Sequence, residues 1–512
     1  MASINQHSVR EQLAALKAQC QQLTAAGKMS GESQVLFAAL LALVEIVVAV
    51  FMERTTKKDA RNSSKPSSQT DKDDTATPLV GANSQGTPQT KTRSSNTRTV
   101  ETVRVVKVSV CEHCGEDLRT TPCHQHERRT LIDIVFEKVV THVDAQIKEC
   151  PHCATQTKAA FPEELSGPLQ YGAGIKAYLL NQLMAHMLSL KRLQQSLHTL
   201  IGTVIAQATI LHYVLQLHQA LERWEHAAIE QLLARPSLHA DETSLRVDRK
   251  NQWIHVYSAG DITLKFVHPK RGTEAIEAIG IIPRYGGDVI HDCWASYLSY
   301  DHCGHGLCGS HLLRELTFIV DSNHYPWAAQ MKALLKAACK TVAKRKSKKL
   351  TQSEYQTLQR RYRHILTRGI KQMPLIPEKQ TGQRGRIAKS DAHNLCERLK
   401  RYETAVLLFA KHAHVPFTNN RAERDLRMSK VKQKVSGCFR QARYAAAYCR
   451  ISSYLQTMAY QGYNPLVAIQ MAMSGKLYAQ GGSSYPIAST PSTPGSPAPT
   501  GCASCVSTAS TG

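Results

Sequence analysis

The spacing of hydrophobic residues divides the chain into segments of different character. Near the N-terminus, Leu13, Leu16 and Leu23 follow an amphipathic helical pattern, and residues 35–52, VLFAALLALVEIVVAVFM, are almost wholly apolar. That run is nearly long enough to cross a bilayer, but Glu45 in its middle is costly in lipid. The pattern favours a helical or coiled-coil oligomerisation segment over residues 1–52, with a membrane anchor as the alternative.

Two stretches have too few apolar residues to build a core. Residues 53–100 are rich in Ser, Thr and Lys, and residues 476–512 are rich in Ser, Pro and Gly. Chains of this composition cannot bury enough apolar surface to offset the entropy of ordering. We predict a flexible linker over residues 53–100 and a disordered tail over residues 476–512.

Helical periodicity dominates residues 168–235, with a break at LIGTVIAQ. Two helices separated by a short break indicate a helix-turn-helix-like unit, a motif that often binds DNA. The five histidines of this stretch are scattered, and we interpret them as helix-packing residues.

The period changes from that of helices to that of strands at residue 236. SLHADETSLRVD, QWIHVYSAG and TLKFVHP read as three strands, GTEAIEAIG as a helix and GDVIHDCWASY as a fourth strand. This order predicts an α/β sheet that begins with a meander, within a domain spanning residues 236–475. We predict a helical insertion over about residues 325–410, because so long a gap between strands and helix cannot be a plain loop.

Charge points to a polyanionic partner. The 64 lysines and arginines exceed the 40 aspartates and glutamates, for a net charge of +24, and residues 340–389 hold fifteen cations against two glutamates. A solubilising surface usually mixes both signs, whereas a one-signed block attracts nucleic acid. We expect this block to bind DNA.

Cysteine spacing predicts a zinc site in residues 101–160. The N-terminal residues form no secretory signal, so the fifteen cysteines are expected to be reduced in a cytoplasmic protein. Cys111 and Cys114 form one CxxC knuckle and Cys150 and Cys153 a second, the arrangement that builds a structural thiolate zinc site. Three residues between the knuckles could replace a ligand: Cys123, His124 and His126. The alternative is four unrelated buried cysteines.

Two aspartates are placed to meet at one edge of the predicted sheet. Asp241 is expected to end the first strand and Asp292 the fourth, so both would lie where adjacent strands finish. Such carboxylates suit a hard divalent cation. The alternative makes Asp241 a turn residue and Asp292 the N-cap of a CWASYL helix.

A third carboxylate stands among cations in PFTNNRAERDLRMSKVKQK. On a helix, Asn420, Glu423, Arg427 and Lys430 share one face, so Glu423 could face a metal while the cations follow a DNA backbone. The predicted DNA-binding set is Arg421, Arg424, Arg427, Lys430 and Lys432. A salt-bridged surface is the alternative, and Glu315 and Asp425 are rival carboxylates.

The stretch CGHGLCGSHLLREL carries soft ligands close to Asp292. Cys308 and His311 form a Cys-x-x-His pair, with Cys303 and His305 just before it. Four such side chains could hold zinc. Buried packing beside Asp292 is the interpretation that we favour.

Taken together, LHADETSLRVD, VHPKRG, VIHDCWASY, CGHGLCGSHLLREL and PFTNNRAERDLRMSKVKQKVSGCFR resemble bacterial transposases of the insertion sequence 66 family. The resemblance implies an RNase H-like core of the DDE type, with Asp241, Asp292 and Glu423 as its acidic triad. It implies Mg²⁺ (or Mn²⁺) for cleavage of element ends and transfer of the 3′-hydroxyl to target DNA, beside structural Zn²⁺. The implied partners are DNA, further copies of the chain and accessory proteins of the same element, at the nucleoid.

Two other functions remain open from the sequence. A non-catalytic zinc and helix DNA-binding protein would need no acidic triad, whereas all three acidic residues are present. A metal-dependent nuclease without strand transfer would share the triad, so the residues alone do not separate it from a transposase.

Overall fold

The computed structural model describes residues 6–56, 58, 62, 102–132, 134, 136–163, 165, 167–376 and 389–475. All of them belong to one unit, residues 1–476. The predicted tail over residues 476–512 and most of the predicted linker over residues 53–100 lie outside the described residues.

Helices carry most of the described chain, beside seven short to medium strands. The helices are α1 (Gln6–Ala25), α2 (Gly31–Thr55), α3 (Ala173–Met184), α4 (Leu190–Ile201), α5 (Gln207–Ala220), α6 (Glu222–Leu233), α7 (Thr273–Ile279), α8 (Gly309–Asn323), α9 (Pro326–Lys344), α10 (Gln352–Gln372), α11 (Asp391–Arg401), α12 (Glu403–Lys411), α13 (Asn420–Ser436), α14 (Ala442–Tyr460) and α15 (Pro465–Met473). The strands are β1 (Ile147–Glu149), β2 (Gln156–Lys158), β3 (Ser237–Val247), β4 (Lys250–Ala259), β5 (Ile262–His268), β6 (Asp288–His291) and β7 (Gly304–Leu307).

A five-stranded mixed sheet forms the centre, in the order β5-β4-β3-β6-β7. Strands β3, β4 and β5 make an antiparallel meander, and β6 and β7 continue the sheet in parallel with β3. The predicted meander, helix and fourth strand are confirmed in this α/β architecture. Strand β7 was missed, because it has four residues of which two are glycine, a residue with low strand propensity.

Helices cover the sheet and bring the C-terminal part of the chain onto it. Helix α13 packs on β3 and β4, and α14 packs on β5. Ala422 and Leu426 of α13 are buried, as predicted, and so are Ile451 and Tyr454 of α14. This packing holds the first turn of α13 close to the middle of the sheet.

Asp425 is the polar centre of this helix–sheet interface. Its carboxylate is fully buried and accepts hydrogen bonds from five side chains, at 2.7 to 2.9 Å: Ser258, Thr263, Arg421, Gln456 and Tyr460. Burial alone raises the pKa of Asp425, but the Arg421 guanidinium and the hydroxyl donors outweigh it and hold the pKa below its usual range. Asp425 therefore joins α13 and α14 to the sheet.

The described chain between α8 and α13 consists of four helices, α9 to α12, joined by turns and short loops. Helices α8 to α12 enclose an apolar core in which Trp327 and Tyr362 are fully buried. Gly369 of α10 lies against Trp327, and a Cβ at that position would be 2.8 Å from Trp327 Cγ, so only glycine allows this approach. The predicted insertion is thus built of helices with a core of their own, although residues 377–388 are outside the described part.

Helix α2 extends further than predicted and is fixed at its C-terminal end. Glu53 is buried, and its carboxylate accepts hydrogen bonds from the backbone N–H groups of Asp391 (2.6 Å) and Ala392 (3.1 Å) at the start of α11. Asn62 is also buried. The predicted linker boundary at residue 53 is therefore wrong, because this turn of helix caps another helix.

The rest of α2 exposes an apolar face, with Leu36, Leu40 and Val47 all more than half exposed. By length and composition, α2 is the one helix in the described part of the chain that could cross a membrane. Both interpretations of this segment, oligomerisation and anchoring, therefore remain as predicted.

The predicted break in the 168–235 region is confirmed at Gly202, which ends α4 in the left-handed conformation with φ of 64°. The region contains four helices, α3 to α6, where we expected two. Helices α3 and α5 pack against α14 and α15, so part of this region supports the helices that cover the sheet.

We expect replacement of Asp425 by alanine to lower the free energy of unfolding by about 3–5 kcal/mol, because Arg421 would keep a buried charge without its partner. Chemical denaturation would measure the loss. Asp301→Ala, an exposed carboxylate, is the control. A loss as small as that of the control would contradict the assigned role.

The lowered pKa of Asp425 also predicts an acid dependence. A carboxylate whose pKa is lower in the folded than in the unfolded chain stabilises the fold fully above the unfolded pKa of about 4. This stabilisation is lost as the pH falls below that value. Asp425→Asn cannot titrate at this position, so its stability should fall less steeply in that acid range than that of the unmodified chain.

Candidate active site

Asp241 lies in the middle of β3, at the point where the parallel half of the sheet ends. Its partner on β4 is Val256, and β3 continues to Val247. The prediction that Asp241 ends its strand is therefore wrong. The parallel pairing with β6 stops at His239 and Ile290, and extending that register by two residues places Asp241 level with Asp292. The two aspartates meet because β6 ends, not because β3 does.

Asp292 follows β6 directly, in a tight turn. Its Oδ1 accepts a hydrogen bond from the backbone N–H of Trp294 (3.2 Å), and Cys293 has φ of 73°. A left-handed backbone at a non-glycine residue is strained and is often found at functional sites. The alternative in which Asp292 caps a CWASYL helix is wrong, because residues 293–303 form turns and bends.

Asn419 fixes the helix that carries Glu423. The buried Asn419 side chain donates from Nδ2 to the carbonyl oxygen of Ala240 (2.8 Å) and accepts at Oδ1 from His239 Nδ1 (2.8 Å). Its backbone N–H donates to Cys308 Sγ at 3.1 Å. Since Ala240 precedes Asp241, these bonds set the first turn of α13, with Glu423, beside the aspartates.

The three acidic side chains interact electrostatically. Burial raises the pKa of Asp241 well above its usual range, and the charges of Glu242, Asp292 and Glu423 raise it further. The triad is not among the groups of described side chains whose ligand atoms all lie within 4.8 Å of one another. The carboxylates therefore converge without forming a closed cluster.

Glu423 does form such a group with Cys308 and His311. His311 Nδ1 lies 3.6 Å from Glu423 Oε1, and both atoms are buried without a hydrogen-bond partner among the described residues. Burial lowers the pKa of His311, which keeps its imidazole neutral and able to bind a metal. An unpartnered carboxylate oxygen beside two aspartates is what a cation site requires.

The four soft ligands around β7 do not gather in one place. Cys308 and His311 lie beyond the end of β7, whereas Cys303 and His305 lie at its start. His305 Nδ1 is 3.2 Å from His291 Nε2, within the sheet. The favoured interpretation suits Cys303, which is buried, and His305, which is partly buried. No sequence signal had indicated that Glu423 would join the other pair.

Glu242 is an acidic neighbour that the sequence analysis missed. It is buried, forms an ion pair with Arg271 (2.6 Å) and accepts a hydrogen bond from the Tyr297 hydroxyl (2.9 Å). Arg271 in turn stacks 3.7 Å from the ring of Trp294, two residues after Asp292. The VHPKRG motif thus neutralises Glu242 and supports the turn that orients Asp292.

Similarity to known proteins agrees with this arrangement. A family model described as Transposase IS66 family matches residues 168–447, more than half of the chain. The chain belongs to the IS66 transposase family. No curated protein matches it. Membership implies that this transposase binds DNA and uses divalent metal.

The rival carboxylates of this IS66-family transposase are occupied elsewhere. Asp425 is saturated by its five donors, and Glu315 forms an ion pair with Arg398. Neither side chain is free to replace Glu423 beside Asp241 and Asp292.

The predicted DNA-binding residues of α13 divide into two groups. Arg424 and Arg427 are exposed and Lys430 is partly exposed. Arg421 instead binds Asp425 and stacks 3.6 Å from the Tyr460 ring, and Lys432 is buried. For these two the prediction needs correction, because helix α13 turns them toward the sheet.

The two cysteine knuckles have matching backbone geometry. Cys111 N–H donates to Glu116 O (2.9 Å) and Cys150 N–H to Thr155 O (2.9 Å), and each knuckle closes with a positive φ, at Gly115 and Ala154. Hydrogen bonds lower the pKa of Cys111 and of Cys153. The four thiols are not among the described ligand groups within 4.8 Å, so a shared zinc site stays a prediction.

We expect Asn419→Ala to lower the free energy of unfolding by about 1–3 kcal/mol, because Ala240 O and His239 Nδ1 lose a buried partner. Thermal or chemical unfolding measures this loss. Asn394→Ala, on the exposed face of α11, is the matched control. Equal stability of the two variants would contradict the role given to Asn419.

Proposed function

We propose that this IS66-family transposase cleaves the ends of its insertion element and joins the freed 3′-hydroxyl to target DNA. Asp241, Asp292 and Glu423 would act as the DDE triad and hold Mg²⁺ (or Mn²⁺). The observation that carries the proposal is the register of β3 and β6 together with the Asn419 bonds. They bring three carboxylates that are remote in sequence close to the C-terminal end of β6.

The acidic pocket fits a divalent cation. Burying several carboxylates together is costly unless a positive charge compensates, and the raised pKa of Asp241 expresses that cost. Among the ion pairs between described residues, Arg271 pairs with Glu242 and with no member of the triad. Two bound metal ions would supply activation of the attacking hydroxyl and stabilisation of the leaving oxygen.

Each residue of the pocket has a separate task. Asp241 would be a ligand of both ions, Asp292 would hold one of them and Glu423 the other. The Trp294 backbone N–H orients Asp292 through the hydrogen bond to Oδ1, and Asn419 positions Glu423 through α13. Oxygen ligands of this kind are those that Mg²⁺ prefers.

The sheet supports an RNase H-like core as part of the proposal. A three-stranded antiparallel meander followed by parallel strands, with β3 central and carrying the first aspartate, is the arrangement that such a core needs. The helices between β7 and α13 would then be an insertion into that core.

Substrate contacts are proposed for two surfaces. The exposed Arg424 and Arg427 follow the helix that carries Glu423, so they would bind phosphates beside the scissile bond. The cations of α9 and α10, most of them exposed, would hold more distant DNA. Zn²⁺ bound by Cys111, Cys114, Cys150 and Cys153 would order the domain at residues 101–160.

Assembly and location complete the proposal. The exposed apolar face of α2 supports a homo-oligomer formed through the N-terminal helices, and accessory proteins of the same element are expected partners. We place the transposase at the nucleoid in the cytoplasm.

Single substitutions Asp241→Asn, Asp292→Asn and Glu423→Gln should each reduce cleavage of labelled element-end DNA at least a hundredfold, roughly, because each removes a metal ligand from the reaction. DNA binding, followed by gel shift, should persist. Asp301→Asn is the matched control and should cleave normally, because Asp301 precedes β7 at the opposite end of the strands from the triad.

The products of the same assay separate the candidate functions. Cleaved ends joined to a target duplex support a transposase, and cleavage without joining would leave a metal-dependent nuclease. Cleavage by a triple variant of Asp241, Asp292 and Glu423 in Mg²⁺ would refute the assigned site.

Arg424→Ala and Arg427→Ala should each weaken DNA binding and lower the slope of log affinity against log salt by about 1, because each removes a phosphate contact. Lys28→Ala, in the exposed turn between α1 and α2, is the control. Unchanged slopes in both variants would show that the exposed face of α13 does not contact the DNA backbone.

A further inference from the structure

A second cluster of ligand side chains lies at the opposite end of the strands from the candidate active site. Asp288 begins β6, the strand that leads to Asp292, and His412 and His414 belong to the segment that follows α12. The two aspartates are four positions apart along an extended chain, which corresponds to about 13 Å. The cluster is therefore distinct from the candidate active site.

The three side chains point at one another. Asp288 Oδ2 lies 2.6 Å from His412 Nδ1 and 2.7 Å from His414 Nε2, and all three ligand atoms are within 4.8 Å of one another. The aspartate side chain is 10% exposed, while the imidazoles are 34% and 40% exposed. The carboxylate thus forms the floor of the cluster and the two rings form a rim that is open to solvent.

The surrounding backbone makes room for this arrangement and holds it. Gly304 on β7 faces Asp288, and a Cβ there would be 1.9 Å from Asp288 Oδ1. Ser237 Oγ donates to His414 O at 2.9 Å, which ties the histidine segment to the start of β3. Among the ion pairs found between described residues, Asp288 has only these two imidazoles as partners, and no lysine or arginine compensates its charge.

We propose that Asp288, His412 and His414 form a binding site for a zinc ion. Two imidazoles and one carboxylate are a common protein ligand set for Zn²⁺, with the fourth position left to water. Here that position would face solvent between the exposed rings. Binding needs neutral imidazoles with the protons moved to His412 Nε2 and His414 Nδ1, which leaves the inward nitrogens free to bind the metal.

The same contacts without metal would be two N–H groups that donate to one carboxylate oxygen. In that arrangement the three side chains would bind no metal ion. Measuring metal binding therefore distinguishes the hydrogen-bonded cluster from the zinc site.

The site has a clear structural consequence. The histidines stand where the helical insertion returns to the sheet, and the chain then continues through Asn419 to Glu423. A zinc ion bound to both segments would fasten the end of the insertion to the strand that leads to Asp292. This role does not depend on the proposed reaction.

The test uses the full-length chain, stripped of metal by a chelator and titrated with Co²⁺ in the absence of Mg²⁺. Asp288→Asn and His414→Ala are compared with the unmodified chain and with His364→Ala, an exposed histidine of α10. Asp288→Asn and His414→Ala should each lose about one equivalent of bound Co²⁺, or bind it roughly 100-fold more weakly, whereas His364→Ala should bind it as the unmodified chain does. The lost absorption should lack a thiolate charge-transfer band, which separates this site from any cysteine site.

Thermal unfolding gives a second measure. Zn²⁺ should raise the Tm of the unmodified chain and of His364→Ala by more than that of either site variant. Asp288→Asn keeps an oxygen that can accept from both rings, so it retains the metal-free contacts and serves if His414→Ala does not fold. Equal Co²⁺ stoichiometry, spectrum and zinc response in Asp288→Asn and the unmodified chain would overturn the proposal.

Discussion

The structure depends on one electrostatic constraint, the convergence of carboxylates where the parallel pairing of β3 and β6 ends. Asp241 is buried there beside Glu242 and within the field of Asp292 and Glu423. Like charges so placed repel one another, and hydrogen bonds together with one ion pair hold the surrounding elements in place against that repulsion. The Asn419 side chain fixes the helix, and the Arg271 ion pair removes Glu242 from the unpaired set. These bonds offset the cost of burying Asp241 beside other carboxylates, which is expressed in its raised pKa.

The sequence predicted the elements of the sheet better than the reasons for their meeting. Alternation of apolar residues in β3, β4 and β5 is a local signal, and it was sufficient for the meander. The prediction that Asp241 ends its strand was wrong. Asp241 is level with Asp292 because of where β6 stops, and strand pairing, which decides that, is a tertiary property. Strand β7 left no such signal, since it has only four residues, two of them glycine, and its burial comes from β6 and α12.

Side-chain direction was the least predictable part of the site. Five cations of α13 look alike in sequence, yet Arg421 and Lys432 point into the protein while Arg424 and Arg427 point out. The difference arises from which face of the helix the sheet covers, and that depends on Asp425 and its partners from β4, β5 and α14. The cluster of Cys308, His311 and Glu423 was equally hidden, because more than a hundred residues separate Glu423 from the other two.

The cap that Glu53 provides for α11 has a consequence for how the chain is made. Glu53 and Asp391, whose backbone N–H donates to it, are 338 residues apart. At roughly 5–20 residues per second, a ribosome needs about 20 to 70 s to supply this partner. Throughout that interval the apolar face of α2 has emerged, while the surface that receives its C-terminal turn does not yet exist. Nascent transposase therefore passes through a long period in which the apolar helix α2 is undocked. Chaperone binding, or early pairing of neighbouring nascent chains, would act on this helix first.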